Sequence, residues 1–175
     1  MDDFDEDVRE PDGDGELHEI RGALLNDTVT ALEPAEPVCL TETATVEEAI
    51  GRMLERRQAG VLVVDGQGRL TGIFTERDVL TRVAGAGREP RRTALRDVMT
   101  PNPEALAAGD RIAYAVHCMS VAGYRTVPLV DADRRPIGVV TVSDVIRWLA
   151  SLFPEAVLNL PPGDTLKRPQ EIDSG

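Results

Sequence analysis

Apolar residues along this chain fall into short blocks with two alternating rhythms. Val46, Ala49, Ile50, Met53 and Leu54 recur at the three- and four-residue spacing of one helix face. The continuous run Val61, Leu62, Val63, Val64 is closed by Asp65-Gly66-Gln67-Gly68. It predicts a buried strand ending in a tight turn, with residues 70–74 as the hairpin partner. Val79, Leu80 and Val83 then start a second helical face. The series repeats: Ile112, Ala115, Val116 and Met119 follow helical spacing, residues 127–130 and 137–140 read as strands, and Val145, Ile146 and Leu149 as a last helix. Thr43 or Thr45, and Asp110, stand where the N-caps of the two earlier helices belong.

The recurrence is one of sequence as well as pattern. Gly72-Ile73-Phe74-Thr75-Glu76-Arg77-Asp78 returns 66 residues later as Gly138-Val139-Val140-Thr141-Val142-Ser143-Asp144. The offset holds without a gap: Pro37 falls on Pro103, Leu40 on Leu106, Ala49 on Ala115, Met53 on Met119, Val64-Asp65 on Val130-Asp131, and Arg69 on Arg135. An internal repeat decides architecture. The expected organisation is a tail over 1–22, a first repeat over 25–84, a linker over 85–94, a second repeat over 95–152 and a Pro-rich tail over 153–175. Each repeat is a strand–helix–strand–strand–helix unit. A unit of about 60 residues is marginal alone, so the pair is the expected folding unit. The predicted class is α/β (α+β): two tandem β-α-β-β-α repeats packed with pseudo-twofold symmetry.

Composition refines this picture. The chain has 175 residues, 42% of them hydrophobic and only 3% aromatic, so the core rests on aliphatic side chains. Its formal charge of −12 is local: residues 1–19 hold ten acids against Arg9 and account for −9, leaving −3 for the rest. Such a segment reads as a disordered, solubilising tail and argues against nucleic acid and anionic membranes as partners. Cys39 and Cys118 make no disulfide framework and are expected in the core, with His117 on the surface. No apolar run reaches transmembrane length and no signal-peptide pattern opens the chain, which predicts a cytoplasmic protein. His117-Cys118 lacks metal-ligand spacing, and no nucleophile, base and orienting group assemble from the sequence; no enzyme and no metal site are predicted. Arg88, Arg91, Arg92 and Arg96 form a small basic cluster that reads as a solvated linker, with a phosphate site as the alternative.

The duplicated Gly-h-h-Thr-x-x-Asp segment (h apolar) is the candidate site. Thr75 and Thr141 sit where a strand passes directly into a helix, with free N–H groups and the positive dipole end pointing outward. That arrangement suits phosphate. Asp78 and Asp144 would repel phosphate but accept two hydrogen bonds from a ribose diol, as acidic residues do in dinucleotide folds. Gly72 and Gly138 permit close backbone approach. The same Thr-x-x-Asp spacing also describes a capping box, which binds nothing, although Asp is a shorter reach than the usual Glu or Gln. Spacing leaves both readings open.

With Arg125-Thr126-Val127-Pro128-Leu129-Val130-Asp131 before the second copy and Asp97-Val98-Met99-Thr100-Pro101 leading into its repeat, the chain resembles the tandem cystathionine β-synthase (CBS) domain pair, or Bateman module, of the stand-alone bacterial type. The resemblance covers roughly residues 25–152. It implies two clefts between sheet-packed halves, and a regulatory role in binding AMP, ADP, ATP, S-adenosylmethionine or NAD and signalling to an unidentified protein partner. By resemblance Asp144 would hold the ribose, Thr141 and Ser143 would face ribose or phosphate, and Thr100 and the backbone near Ala105 would lie beside the base. In the first repeat Thr75 and Asp78 match and Arg77 would neutralise phosphate, whereas Pro34 replaces the hydroxyl of Thr100 and Leu62 replaces Pro128. The resemblance further implies a homodimer, for which Trp148, Leu152 and Phe153 on the final helix are the candidate face. A ligand-free dimerisation scaffold is the competing reading.

Overall fold

The computed structural model describes residues 13–152. Helix α1 (Gly13–Asn26) leads into a 3-10 turn, Val29–Leu32. The first repeat follows as β1 (Cys39–Thr41), α2 (Val46–Arg56), β2 (Gly60–Val64), β3 (Leu70–Thr75) and α3 (Glu76–Asp78), which continues as a π-helical turn over Val79–Ala84. A second 3-10 turn, Leu95–Asp97, and β4 (Thr100–Pro101) join the halves. Then come β5 (Leu106–Ala107), α4 (Ile112–Val121), β6 (Thr126–Val130), β7 (Pro136–Thr141) and α5 (Val142–Leu152). The predicted strand–helix–strand–strand–helix order is present twice.

The offset of the sequence is also the offset of the hydrogen-bond register. In the first half Gly60 lies opposite Thr75, Val61 opposite Phe74 and Leu62 opposite Ile73, with a slip between Val63 and Val64. In the second half Thr126 faces Thr141, Val127 faces Val140 and Pro128 faces Val139, with the same slip between Leu129 and Val130. Each hairpin turn is held by one carboxylate. Asp65 Oδ1 accepts from the backbone N–H groups of Gln67 (2.8 Å) and Arg69 (2.9 Å), and Asp131 Oδ1 from those of Asp133 (3.0 Å) and Arg135 (2.8 Å). The Arg69 N–H, then that of Gln67, holds the Asp65 carboxyl below its ordinary range. The left-handed corner falls on Gly68 (φ 79°) in one turn and Arg134 (φ 63°) in the other.

The two sheets are β1-β2-β3-β4 and β5-β6-β7. Strand β4, which leads the second repeat, pairs antiparallel with β3 of the first, Gly72 opposite Pro101 and Ile73 opposite Thr100. Reciprocally, Ala35, which leads the first repeat, bridges to Val139 on β7 of the second. The cores follow the same exchange. Val29 and Leu32 are buried with Leu106, Ile112, Leu129 and Trp148 of the second half. Leu95 and Val98 are buried with Val46, Val61, Phe74 and Val83 of the first. A third cluster, Leu62, Leu70, Ile73 and Val139, joins the two sheets, and partly buried Ala105 packs on it. Neither half is complete alone.

This exchange corrects several expectations. Helix α1 begins at Gly13, inside the segment expected as a disordered tail, and Ala23 and Leu24 pack against the second core. Tertiary docking of an apolar stripe stabilises a helix that a short isolated segment would not hold. Residues 1–12 and the expected Pro-rich tail over 153–175, including Phe153, lie outside the described residues. Trp148 is only 8% exposed and belongs to the core, and Leu152 packs beside it, so these two do not form an outer dimer face. Cys39 is exposed because β1 is an edge strand, whereas Cys118 is buried and His117 exposed as expected. Thr45 caps α2 with Glu48 as its partner, but Arg111 rather than Asp110 occupies the N-cap of α4. Asp110 turns back to accept from the Ala107 N–H (2.8 Å).

Leu32 precedes β1 of the first repeat yet is 2% exposed in the core of the second. Leu32→Ala is therefore expected to cost about 2–5 kcal/mol of stability. It should also alter the emission of Trp148, the chain's single tryptophan, in the folded state. A urea titration followed by tryptophan fluorescence checks both.

Candidate functional site

Strand β3 ends at Thr75 and α3 begins at the next residue. The Thr75 backbone is extended (φ −123°, ψ 167°), which turns its N–H toward the first helical turn. Both Thr75 N–H (2.9 Å) and Thr75 Oγ (2.8 Å) donate to Asp78 Oδ2. The second copy does the same: Thr141 N–H and Oγ each donate to Asp144 Oδ2 at 2.7 Å, and the Asp144 N–H returns to Thr141 Oγ at 3.3 Å. Asp reaches back at hydrogen-bond distance, so its shortness is no bar to the capping arrangement. The remaining oxygen of each carboxylate meets an arginine. Asp78 Oδ1 lies 3.3 Å from Arg82 Nε, and Asp144 Oδ1 accepts from Arg147 Nη1 at 2.9 Å. Both acids are nearly buried, at 7% and 9% exposure. A negative charge in the first turn also complements the helix dipole.

A cleft of about 310 Å³ opens beside Asp78. Thr75, Arg77, Asp78 and Arg82 enter it from the first half; Thr100, Glu104, Tyr124, Arg125 and Pro128 enter from the second. Four predicted residues, Thr75, Arg77, Asp78 and Thr100, thus meet in one place. The grouping differs from expectation, which set Thr100 with Asp144. Because β4 pairs with β3, the Thr100 hydroxyl belongs to the Asp78 cleft. Pro34, its counterpart in sequence, packs against Gly138 as Met99 does against Gly72, and Ala35 takes the place opposite Val139 that Thr100 takes opposite Ile73. Pro128 likewise lines the Asp78 cleft, while Leu62 is buried between the sheets. Thr141, Ser143 and Asp144 remain together at the end of β7, and Ala105 packs between the sheets.

The paired glycines have a structural cause. A Cβ on Gly72 would stand 2.3 Å from Met99 Sδ, and one on Gly138 would stand 3.0 Å from Pro34 Cβ. Close approach is real, but the approaching group is the exchanged segment of the other half. Sequence reasoning missed Arg82 and Arg125. Arg125 opens the quoted strand motif but was given no role there. Arg82 aligns with Trp148 at the 66-residue offset, so the repeat offered no charged counterpart to mark it.

The CBS domain family model matches residues 31–85 and 95–151. The chain belongs to the CBS domain family. It is 35% identical over 107 residues to the meiotically up-regulated gene 70 protein of Schizosaccharomyces pombe, covering 61% of this chain and 14% of that protein. The chain thus spans only a small part of that curated relative. Among solved structures it resembles the CBS domain pair of protein MJ0100 in complex with 5′-methylthioadenosine and S-adenosylmethionine (TM-score 0.65, 23% identity, covering 71% of this chain and 97% of that one). It also resembles CBSX2 in complex with AMP (TM-score 0.59, 21% identity, covering 70% and 96%). These likenesses establish the CBS-pair fold. Among the described residues no group of three His, Cys, Asp or Glu side chains is placed to hold a metal ion, and no helix is long and apolar enough to cross a membrane.

In this CBS pair Asp144 caps the first turn of α5 through the Thr141 N–H and hydroxyl. Asp144→Ala is expected to lower the unfolding free energy of the ligand-free protein by about 0.5–2 kcal/mol, read from a urea midpoint.

Proposed function

We propose that this CBS pair is a regulatory protein that binds an adenosine-containing ligand in the Asp78 cleft and presents the resulting change in packing to a protein partner. The observation that carries the reading is convergence. One cleft holds a buried carboxylate, the Thr75 and Thr100 side chains, the flat apolar surface of Pro128 and the exposed guanidinium groups of Arg77 and Arg125, drawn from both halves. Asp78 suits a ribose diol, the arginines suit phosphate, and Pro128 suits a base edge. Complexes of similar pairs with AMP, and with S-adenosylmethionine and methylthioadenosine, support this ligand class, which includes ADP, ATP and NAD. Thr141, Ser143 and Asp144 are proposed as the reduced counterpart, with Ala35 opposite Val139 where the first half has the Thr100 hydroxyl opposite Ile73. The proposed role is regulatory rather than catalytic, in the cytoplasm, and a homodimer is proposed through the exposed helix faces bearing Leu54, Leu80 and Ile146.

A second reading has its own support. Both carboxylates are satisfied internally, by threonine on one oxygen and arginine on the other, as a ligand-free scaffold requires. Calorimetry with AMP, ADP, ATP, S-adenosylmethionine and NAD separates the two. At least one should bind, and Asp78→Asn, which keeps an acceptor for the cap, should weaken it by about ten-fold or more. Asp144→Asn should leave that affinity largely intact. Silence with all five ligands favours the scaffold.

A further inference from the structure

Arg82 does more than neutralise Asp78. Its Nη1 also donates to the carbonyl oxygens of Val98 (3.0 Å) and Met99 (2.7 Å), the residues that lead into β4. One guanidinium therefore ties the carboxylate of the cleft to the segment that the second half lends to the first. The π turn is what makes this geometry. At the 66-residue offset Arg82 aligns with Trp148, which is buried in a regular α-helix. Over Val79–Ala84 the bonding shifts by one residue, with the Gly85 N–H reaching Leu80 O at 2.9 Å. Val83, at 2% exposure, then takes the core position, and Arg82 swings out beside Asp78. π turns are uncommon and concentrate at functional sites. Arg147, which meets Asp144 in the other half, is 69% exposed, against 43% for Arg82.

Hydrogen-bond capacity decides what a ligand would do here. Asp78 Oδ2 already accepts from Thr75 N–H and Oγ. A ribose diol must therefore use Oδ1, the oxygen that Arg82 Nε faces at 3.3 Å. We propose that Arg82 is a ligand-released clasp: a diol on Asp78 Oδ1 competes with Arg82, and its release loosens the 98–101 segment on the first half. This rests on the reading of the Asp78 cleft as an adenosyl site, and it supplies that site with a route to the packing of the two halves. A ligand shifts an equilibrium only through its differential affinity for two states, and here the difference is the Asp78–Arg82 pair.

The sign of the expected effect is unusual for an arginine in a nucleotide cleft. Arg82→Ala, and Arg82→Met, which keeps the aliphatic stem, should bind adenosine about five-fold or more tightly than the unaltered chain, because the competitor is gone. Adenosine carries no phosphate, so a lost phosphate contact cannot mask the gain. 2′,3′-Dideoxyadenosine, which has no diol, should not respond to either substitution. Hydrogen exchange should show residues 95–102 losing protection when AMP binds the unaltered chain, and already unprotected in the variants. Unchanged or weaker adenosine binding by both folded variants, with AMP still binding the unaltered chain, would overturn the clasp alone. If neither AMP nor adenosine binds any of the three proteins, the adenosyl-site reading falls and the clasp with it.

Discussion

Each half of this chain lacks part of its own core, and the missing piece is the segment that leads the other half. Val29 and Leu32 complete the second core, and Leu95 and Val98 complete the first. Everything else depends on that reciprocity. It makes two marginal units into one folding unit, since separating them would expose apolar side chains on both sides at once. It fixes the pairing of β4 on β3 and of Ala35 on β7. It also explains the two glycines, which leave room for Met99 and Pro34 where the exchanged segments cross the receiving strands.

The capping boxes show how a folding requirement and the proposed binding site can share atoms. Threonine N–H and hydroxyl groups occupy one oxygen of each carboxylate at 2.7–2.9 Å. The cap therefore explains why both copies keep Thr and Asp without reference to any ligand. It does not exhaust the carboxylate, which has a second oxygen and further lone pairs. Whether that second oxygen serves a ligand depends on its surroundings, and those differ. At Asp78 the neighbourhood is a two-sided cleft with Thr100 and Pro128; the strand that leads to Asp144 receives Ala35 in the place of Thr100.

Much of the fold was legible from local pattern. The strands, their slips and the paired turns all obey the 66-residue offset because hairpins are set by neighbours in sequence. The Thr-x-x-Asp geometry was legible for the same reason. What escaped the sequence was everything set across the halves. Thr100 could be recognised as a site residue but not assigned to its cleft, because that assignment is a strand pairing between residues 73 and 100. The helix from Gly13 is held by distant packing that its polar composition does not announce. Trp148 sat in an apolar helix that reads equally well as an interface or a core. Arg82 was hidden by one inserted backbone residue, a π turn that composition does not signal.

Duplication alone would give two equivalent surroundings for the Thr-x-x-Asp turns, and divergence carried across by the exchange makes them differ. The Asp78 cleft joins the β-to-α turn of the first half to the leading segment and loop of the second. Changes accumulated in the second half's leading segment and β6 therefore appear in the first half's site. Thr100 and Pro128 converge on Asp78 even though all their sequence neighbours belong to the second repeat. Pro34, from the leading segment of the first repeat, goes the other way. A swap of this kind lets one copy keep the fold, through its cap and its core, while its partner copy supplies the recognition chemistry. The asymmetry of the pair is thus a consequence of topology acting on ordinary sequence divergence, and it places both the richest cleft and the arginine that touches the exchanged segment on the same side of the molecule.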